Sequence, residues 1–465
     1  MMNREPIIFK AHLLQGEEKI AIEAKYASQF SLSIRFLNGN KTDQETAYRK
    51  LVFQRNGDEI EIGPCQFIPD TADSSCNGRI VFYQDVYDLN SLFFDDKLEK
   101  LQAEFFNLPL IIAHKDKIKK SFKEYIANLT YDLNVYKNLF DSLDSRYAAE
   151  PEEIKRSVQG AIIETEGRKF MKFLDGKLEE FENIIMNFSK KDHERHGYYL
   201  RKQLWSFLMC SPFMTRTNIK PRGYSGDSVM MKMIYDNQYE GSTTFGRLMH
   251  KHPNEHPAAQ AVRNRRKLIA QMISSLKSRE LNSNSKINIL SVACGPAFEL
   301  QDVITSTEDC ERFHFTFLDQ DENALSEARS QIKIIEKKLG RKIETEFLNE
   351  SVRTMLKTRE LDKRWGSFDY IYSMGLFDYL TPPVAKAVIG KLYQILNVGG
   401  EMVIGNFHIS NASRYYMEYW LDWVLYYRTE QEFMDLLKNA PSAETKIVFE
   451  DTGSQMFMQV KKSGA

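Results

Sequence analysis

The sequence predicts a multidomain chain, part α+β and part α/β. Residues 1–95 read as a small β-barrel and 96–210 as a helical linker. Residues 211–465 read as a doubly wound α/β domain with an N-terminal lid segment and a core at 286–465. Three observations carry this division. Short apolar runs between turn signals come first, two long amphipathic stripes follow, and strands alternate with helices from about 286 onward. At 465 residues the chain also exceeds one ordinary domain.

The first part has strand-like runs at Ile7-Ile8-Phe9, Ile20-Ala21-Ile22, Leu32-Ser33-Ile34-Arg35-Phe36, Leu51-Val52-Phe53, Ile60-Glu61-Ile62 and Ile80-Val81-Phe82-Tyr83. Turn signals separate them at Asn38-Gly39-Asn40, Arg55-Asn56-Gly57-Asp58, Gly63-Pro64 and Asn77-Gly78. Short, evenly spaced strands favour a barrel. In the middle part, Ile118, Phe122, Ile126, Leu129, Leu133, Tyr136 and Leu143 form one helical stripe. Pro151-Glu152-Glu153 reads as a helix start, with acids on the positive dipole end. A second stripe runs Ile154, Val158, Ile162, Phe170, Leu174, Leu178, Phe181, Ile185. The pair makes either an intrachain hairpin or the seam of a homodimer. In the last part, strands at Ile287–Val292, His314–Asp319, Ile343–Leu348, Phe368–Ser373 and Glu401–Asn406 predict a parallel sheet covered on both faces. Lys446–Phe449 and Gln455–Lys461 read as an antiparallel hairpin at its edge.

Hydrophobic content of 42% supports real cores, and a net charge of -1 argues against a general nucleic-acid binder. Five cysteines without a CxxC pair predict reduced, mostly buried thiols in a cytoplasmic protein. MMNREPIIFK has no signal-peptide apolar region, and the aromatic stretch Tyr415–Tyr427 is too short and too charged to span a bilayer. His250, His252 and His256 fit no standard ligand spacing, so no metal is expected.

The apolar run Ile289–Val292 stops at the small-residue turn Ala293-Cys294-Gly295-Pro296-Ala297, and a second run, Phe313–Leu318, ends in Asp319. A strand, a tight turn and a helix start give backbone room for a nucleotide-like ligand, and an acid after the next strand accepts ribose hydroxyl protons. With the five parallel strands and the terminal hairpin, these residues resemble the Rossmann-like, seven-stranded class I S-adenosylmethionine-dependent methyltransferases, over about residues 200–465. The resemblance implies S-adenosylmethionine as cofactor. It implies Ala293, Cys294, Gly295 and Pro296 at the amino-acid end, Asp319 with Gln320 on the ribose, Asn349 and Ser351 at the adenine edge, and Ser373, Met374 and Gly375 along the crevice. Only one glycine stands where the family is glycine-rich.

On the acceptor side, Arg222, Tyr224 and Asp227 lie in a polar, glycine-bearing loop suited to folding over a ligand. Arg222 and Tyr224 are candidates to orient an acceptor carboxylate, and Asp227 to hold Arg222 or the cofactor's ammonium. His408, after the fifth strand, is the third candidate and a base for a hydroxyl or amine. Arg263 and Arg266 read as a solvated helix face. PRGYSGDSVMMKMIYD, PAAQAVRNRR, ACGPAFEL and MEYWLDWVLYYRT together look like bacterial methyltransferases of extracellular factor (3-hydroxypalmitic acid methyl ester) biosynthesis. That resemblance implies a small acyl or lipid-like carboxylate acceptor and a methyl-ester signal of the quorum-sensing kind. Ile60-Glu61-Ile62-Gly63-Pro64-Cys65 is similar to PilZ domains, but no RxxxR pair precedes it and Ser28–Ser33 lacks the acid and glycine of the ligand motif. This implies a degenerate PilZ-like scaffold. A protein methyltransferase recruited by that scaffold and a non-catalytic cofactor sensor are the alternatives.

Overall fold

In the computed structural model, residues 9–27, 31–37, 46–55, 58–69, 78–82, 115–278, 286–437 and 443–463 are described. The chain divides into two units, 1–117 and 118–465.

Alternating apolar residues build the first unit. Its strands are β1 (Phe9–Gln15), β2 (Glu18–Ala27), β3 (Ser31–Phe36), β4 (Thr46–Tyr48), β5 (Lys50–Arg55), β6 (Asp58–Ile62), β7 (Cys65–Pro69) and β8 (Gly78–Phe82). Leu13, Ile22, Leu32, Ile34, Phe67 and Ile80 point to one buried face, as period-two patterning requires. The order is β4-β7-β8-β3-β2-β1-β5-β6, every pair antiparallel. This is an antiparallel sheet with edges at β4 and β6, not the closed barrel expected. A break at Arg49 lets one chain segment pair with β7 before it and with β1 and β6 after it. The expectations at Ile7, Ile8, 38–40, 56–57, Asn77 and Tyr83 lie outside the described residues, as do residues 28–30 of the PilZ-like match.

The second unit begins with eight helices: α1 (Lys120–Arg146), α2 (Glu152–Ile162), α3 (Arg168–Ile185), α4 (Lys190–Leu208), α5 (Pro212–Ile219), α6 (Ser228–Asp236), α7 (Thr244–Glu255) and α8 (Pro257–Ser275). A π-turn at Ile163–Gly167 joins α2 to α3. The stripes pack on each other within the chain: the Phe122 and Phe181 rings are 6.2 Å apart, and the Tyr125 hydroxyl donates to the Lys177 carbonyl at 2.7 Å. Ile154 stays exposed. These helices are not a separate linker. Phe122, Phe181 and Leu200 share one core with Met230, Val262, Tyr419 and Trp420. A stripe tells which face is buried but not what covers it, so the sequence division at 210 differs from the fold.

Seven strands complete the unit: β9 (Ile287–Val292), β10 (Phe313–Asp319), β11 (Glu344–Asn349), β12 (Phe368–Ser373), β13 (Leu396–Phe407), β14 (Ala443–Phe449) and β15 (Gln455–Lys462). Their order is β11-β10-β9-β12-β13-β15-β14, with β9 to β13 parallel and β15 antiparallel to both neighbours. The progression of strand order reverses between the parallel neighbours β9 and β12, which opens a crevice beyond their carboxyl ends. Helices α9 (Glu322–Leu339), α10 (Pro382–Gln394) and α11 (Arg414–Trp420) follow β10, β12 and β13.

Candidate active site

A cavity of about 420 Å³ opens at that switch point. Its cofactor edge starts at the turn after β9. Ala293, Gly295 and Ala297 all have positive φ, at 52, 57 and 52°. Two alanines therefore hold the conformation glycine favours, at about 1–2 kcal/mol each. No heavy atom lies within 4 Å of the site a Cβ would take on Gly295. The turn is anchored from β10: the Cys294 amide donates to the Leu318 carbonyl at 3.1 Å, and the Gly295 amide to Asp319 Oδ2 at 3.0 Å. The Asp321 amide donates to Asp319 Oδ1 at 3.0 Å. Burial raises the Asp319 carboxyl while these two amides favour its charged form. Burial also pushes the Cys294 thiol well up, so it is no nucleophile.

Ala293, Cys294, Gly295, Pro296, Asp319, Gln320, Ser351, Met374 and Gly375 line the cavity. Asn349 does not. Its side-chain amide donates to the carbonyls of Asp319 and Gln320, both at 3.2 Å, and so shapes the loop instead. Ser373 is fully buried beneath the lining with an unpartnered hydroxyl. The residues fit the cofactor. Asp319 is a buried acceptor for ribose hydroxyls, the space over Gly295 admits an amino-acid tail, and Ser351 and Val352 form an edge for a flat ring.

The acceptor side departs from the sequence reading. Arg222 faces the lining but is committed to Asp321 at 2.9 Å, Glu327 at 3.4 Å and the Ser228 hydroxyl at 2.5 Å. Asp227 caps α6 through the Met230 amide and is held bidentately by Arg216 at 2.8 and 2.9 Å, so neither Arg222 nor the cofactor has it. His408 lies outside the cavity lining, bound to the Ser410 hydroxyl at 2.6 Å and Glu430 at 3.0 Å. Tyr224 lines the cavity beside Arg222, its ring 6.4 Å from Tyr379. Burial raises the Tyr224 hydroxyl, with Asp319 and Asp321 adding to the effect, so it is a neutral donor.

The sequence reading missed Arg265. It is 7% exposed and lines the cavity from α8. Its Nη1 donates to the Met374 carbonyl at 3.2 Å, its Nη2 lies 3.3 Å from the Met231 sulfur, and its Nε has no partner. Among the described residues no carboxylate comes within ion-pair distance. Arg263 and Arg266 are spent elsewhere, on the carbonyls of Ile234 and Asn254 and on Asp302. A signal existed: Ala258, Val262, Arg265, Ile269 and Ile273 follow one buried helical stripe. Asp378 ends the segment 373–378, which the sequence places along the crevice after the fourth strand. It is buried on the lining, accepts the Phe407 amide at 2.6 Å, and burial carries its carboxyl up to about 6. Much of this chamber's wall is apolar, formed by Phe213, Met231, Val262, Met417, Leu421 and Trp423. Gly226 makes its closure possible, because a Cβ there would meet the Tyr379 hydroxyl at 2.6 Å and Trp423 at 2.8 Å.

Residues 289–400 match the family described as methyltransferase domain. No curated protein matches the chain. Among solved structures, a possible exported protein from Bordetella parapertussis is 16% identical over 51% of this chain and 80% of its own, with a TM-score of 0.40. Magnesium protoporphyrin IX methyltransferase from Synechocystis PCC 6803 with bound S-adenosylmethionine is 12% identical over 44% and 83%, TM-score 0.31. The N-methyltransferase NodS from Bradyrhizobium japonicum WM9 with S-adenosyl-L-homocysteine is 15% identical over 45% and 90%, TM-score 0.31. No described helix is long and apolar enough to cross a membrane. The turn after β9, Asp319 and the crevice after β12 all fall within the residues that match a methyltransferase domain, and the lining fits S-adenosylmethionine as cofactor.

Proposed function

We propose that the chain methylates the carboxylate of a small acidic lipid or acyl metabolite, of which a 3-hydroxy fatty acid is one, to give a methyl ester. One observation carries this: a buried guanidinium without a carboxylate partner, inside an apolar chamber that continues the cofactor crevice. Asp378 and Glu299 interact with this guanidinium from a distance but form no ion pair with it, and an anionic acceptor supplies the direct partner. When bound, S-adenosylmethionine supplies a methyl carbon whose bond electrons return to sulfur as the acceptor oxygen attacks. A carboxylate is already ionised at neutral pH, so the chain moves no proton. Its residues orient and desolvate. Arg265 holds one carboxylate oxygen, the neutral Tyr224 and Tyr379 hydroxyls face the same space, and Met231, Leu421 and Trp423 exclude water.

The test is incubation of the full chain with S-adenosylmethionine and 3-hydroxy fatty acids of graded length, with methyl esters read by mass spectrometry. Ester formation that Arg265→Gln abolishes supports the reading. Methylation confined to hydroxyls or amines overturns it. A hydroxyl acceptor is the second reading, and Asp378, with its raised carboxyl facing the cavity, is the base it would use. The PilZ-like scaffold role of the N-terminal sheet and a homodimer through the helices belong to the same proposal. For the dimer, the exposed face of α1 at Tyr131, Val135 and Leu139 is the surface.

A further inference from the structure

Behind the acceptor chamber, three side chains converge that the methyl transfer does not use. His252 and His256 stand one helical turn apart at the end of α7, and Asp175 reaches them from α3. All three line a second cleft of about 210 Å³. His252 Nε2 is 3.2 Å and His256 Nε2 3.7 Å from the same oxygen, Asp175 Oδ1. One ligand atom from each lies within 4.8 Å of the others. Donors about 2.1 Å from a common tetrahedral ion stand about 3.4 Å apart, so the cluster needs only small adjustment to close on one.

Two observations separate this arrangement from an ordinary hydrogen-bonded triad. If the Asp175 oxygen takes the His252 N–H, His256 Nε2 stays buried without a hydrogen-bond partner. An ion would use both nitrogen lone pairs and the carboxylate together. In addition, His252 Nδ1 is 2.7 Å from the Tyr416 hydroxyl. Donation of Nδ1–H to that oxygen fixes the ring with its Nε2 lone pair toward Asp175, which is how outer partners orient a metal-binding histidine.

We propose that Asp175, His252 and His256 bind a divalent transition ion, zinc by ligand type, with its remaining positions open to the outer cleft. The ion ties α3 to the α7–α8 junction. His256 and Tyr416 also line the acceptor chamber, so the ion stiffens that chamber's far wall. The spacing of the three histidines in sequence hides the site, because one of them, His250, plays no part and the third ligand lies 77 residues before His252.

The experiment is titration of chelator-treated, dialysed full-length protein with zinc by calorimetry, and with cobalt(II) by visible absorption. The expected result is one ion per chain, a tetrahedral-type cobalt spectrum and a higher melting temperature with metal. His256→Asn and Asp175→Asn are each expected to weaken binding by more than about 100-fold, and Tyr416→Phe by about tenfold. The exposed Asp175 makes Asp175→Asn the variant that folds normally. Absence of stoichiometric binding by the wild-type protein overturns the proposal, and so does unchanged affinity in folded Asp175→Asn. Direct transfer of a proton along Asp175, His252 and Tyr416 would then be the use left for the cluster.

Discussion

The two ends of the cavity are made in different ways. The cofactor end comes from contiguous segments: one turn after β9, one acid after β10, one loop after β12. Its polar work is done by backbone amides and a single carboxylate. The acceptor end gathers α5, α6, α8 and α11 with the loop after β12, and its buried cation Arg265 comes from a helix that precedes the sheet. A site built from backbone geometry tolerates changes of side chain, whereas a site built from distant side chains does not. The first is a general cofactor cradle and the second is where specificity resides.

Substitutions test that contrast. Arg265→Gln should have the largest effect, a loss of about 2–5 kcal/mol in transition-state binding of a carboxylate acceptor, read as kcat/KM. Cofactor affinity measured by calorimetry should move little. If both fall together, Arg265 serves the cofactor's own carboxylate and the division between the two ends breaks down. Asp319→Ala should weaken cofactor binding by about 1.5–3 kcal/mol, the worth of hydrogen bonds to a charged group.

Asp378 sharpens the comparison through pH. Its carboxyl is raised to about 6 in the fold, above its value in the unfolded chain. The folded state then holds a proton that the unfolded chain releases first. Stability from this group is therefore complete below about pH 4 and is lost as pH rises through about 6, about 3 kcal/mol in all. From denaturant melts, the stability difference between wild type and Asp378→Asn should change by about 2 kcal/mol between pH 4.5 and 7, and an unchanged difference would remove the claim. Ala293→Gly should raise stability by about 1 kcal/mol, since glycine adopts the same φ without strain. His408→Ala should leave turnover within about twofold, because this histidine is paired with Glu430 away from the cavity.

The same contrast explains what was legible in the sequence. Strands β9 and β12 announce themselves as continuous apolar runs because parallel strands are buried on both faces. Asp319 is legible because its role depends on its place at a strand end. Arg222 and His408 misled because a polar residue in the right loop says nothing about which neighbour claims it, and here Asp321 and Glu430 do. Arg265 hid among Arg263 and Arg266, and only helical phase tells them apart. The methyltransferase sheet was readable strand by strand. In the N-terminal sheet, β4 and β7 were not, since three residues at β4 and a proline-bounded run at β7 carry little pattern.

The Arg222 ion pairs carry one more consequence. They fasten the loop over the cavity to α9, on the ribose side, and the partner Asp321 also lends its amide to Asp319. The same loop is tied to the acceptor side as well, by Lys220 to Asp422 at 2.7 Å and by the Ser225 hydroxyl to the Asp422 carbonyl at 3.4 Å. One loop therefore spans both ends of the cavity, and its partly exposed ion pairs weaken together as added salt screens them.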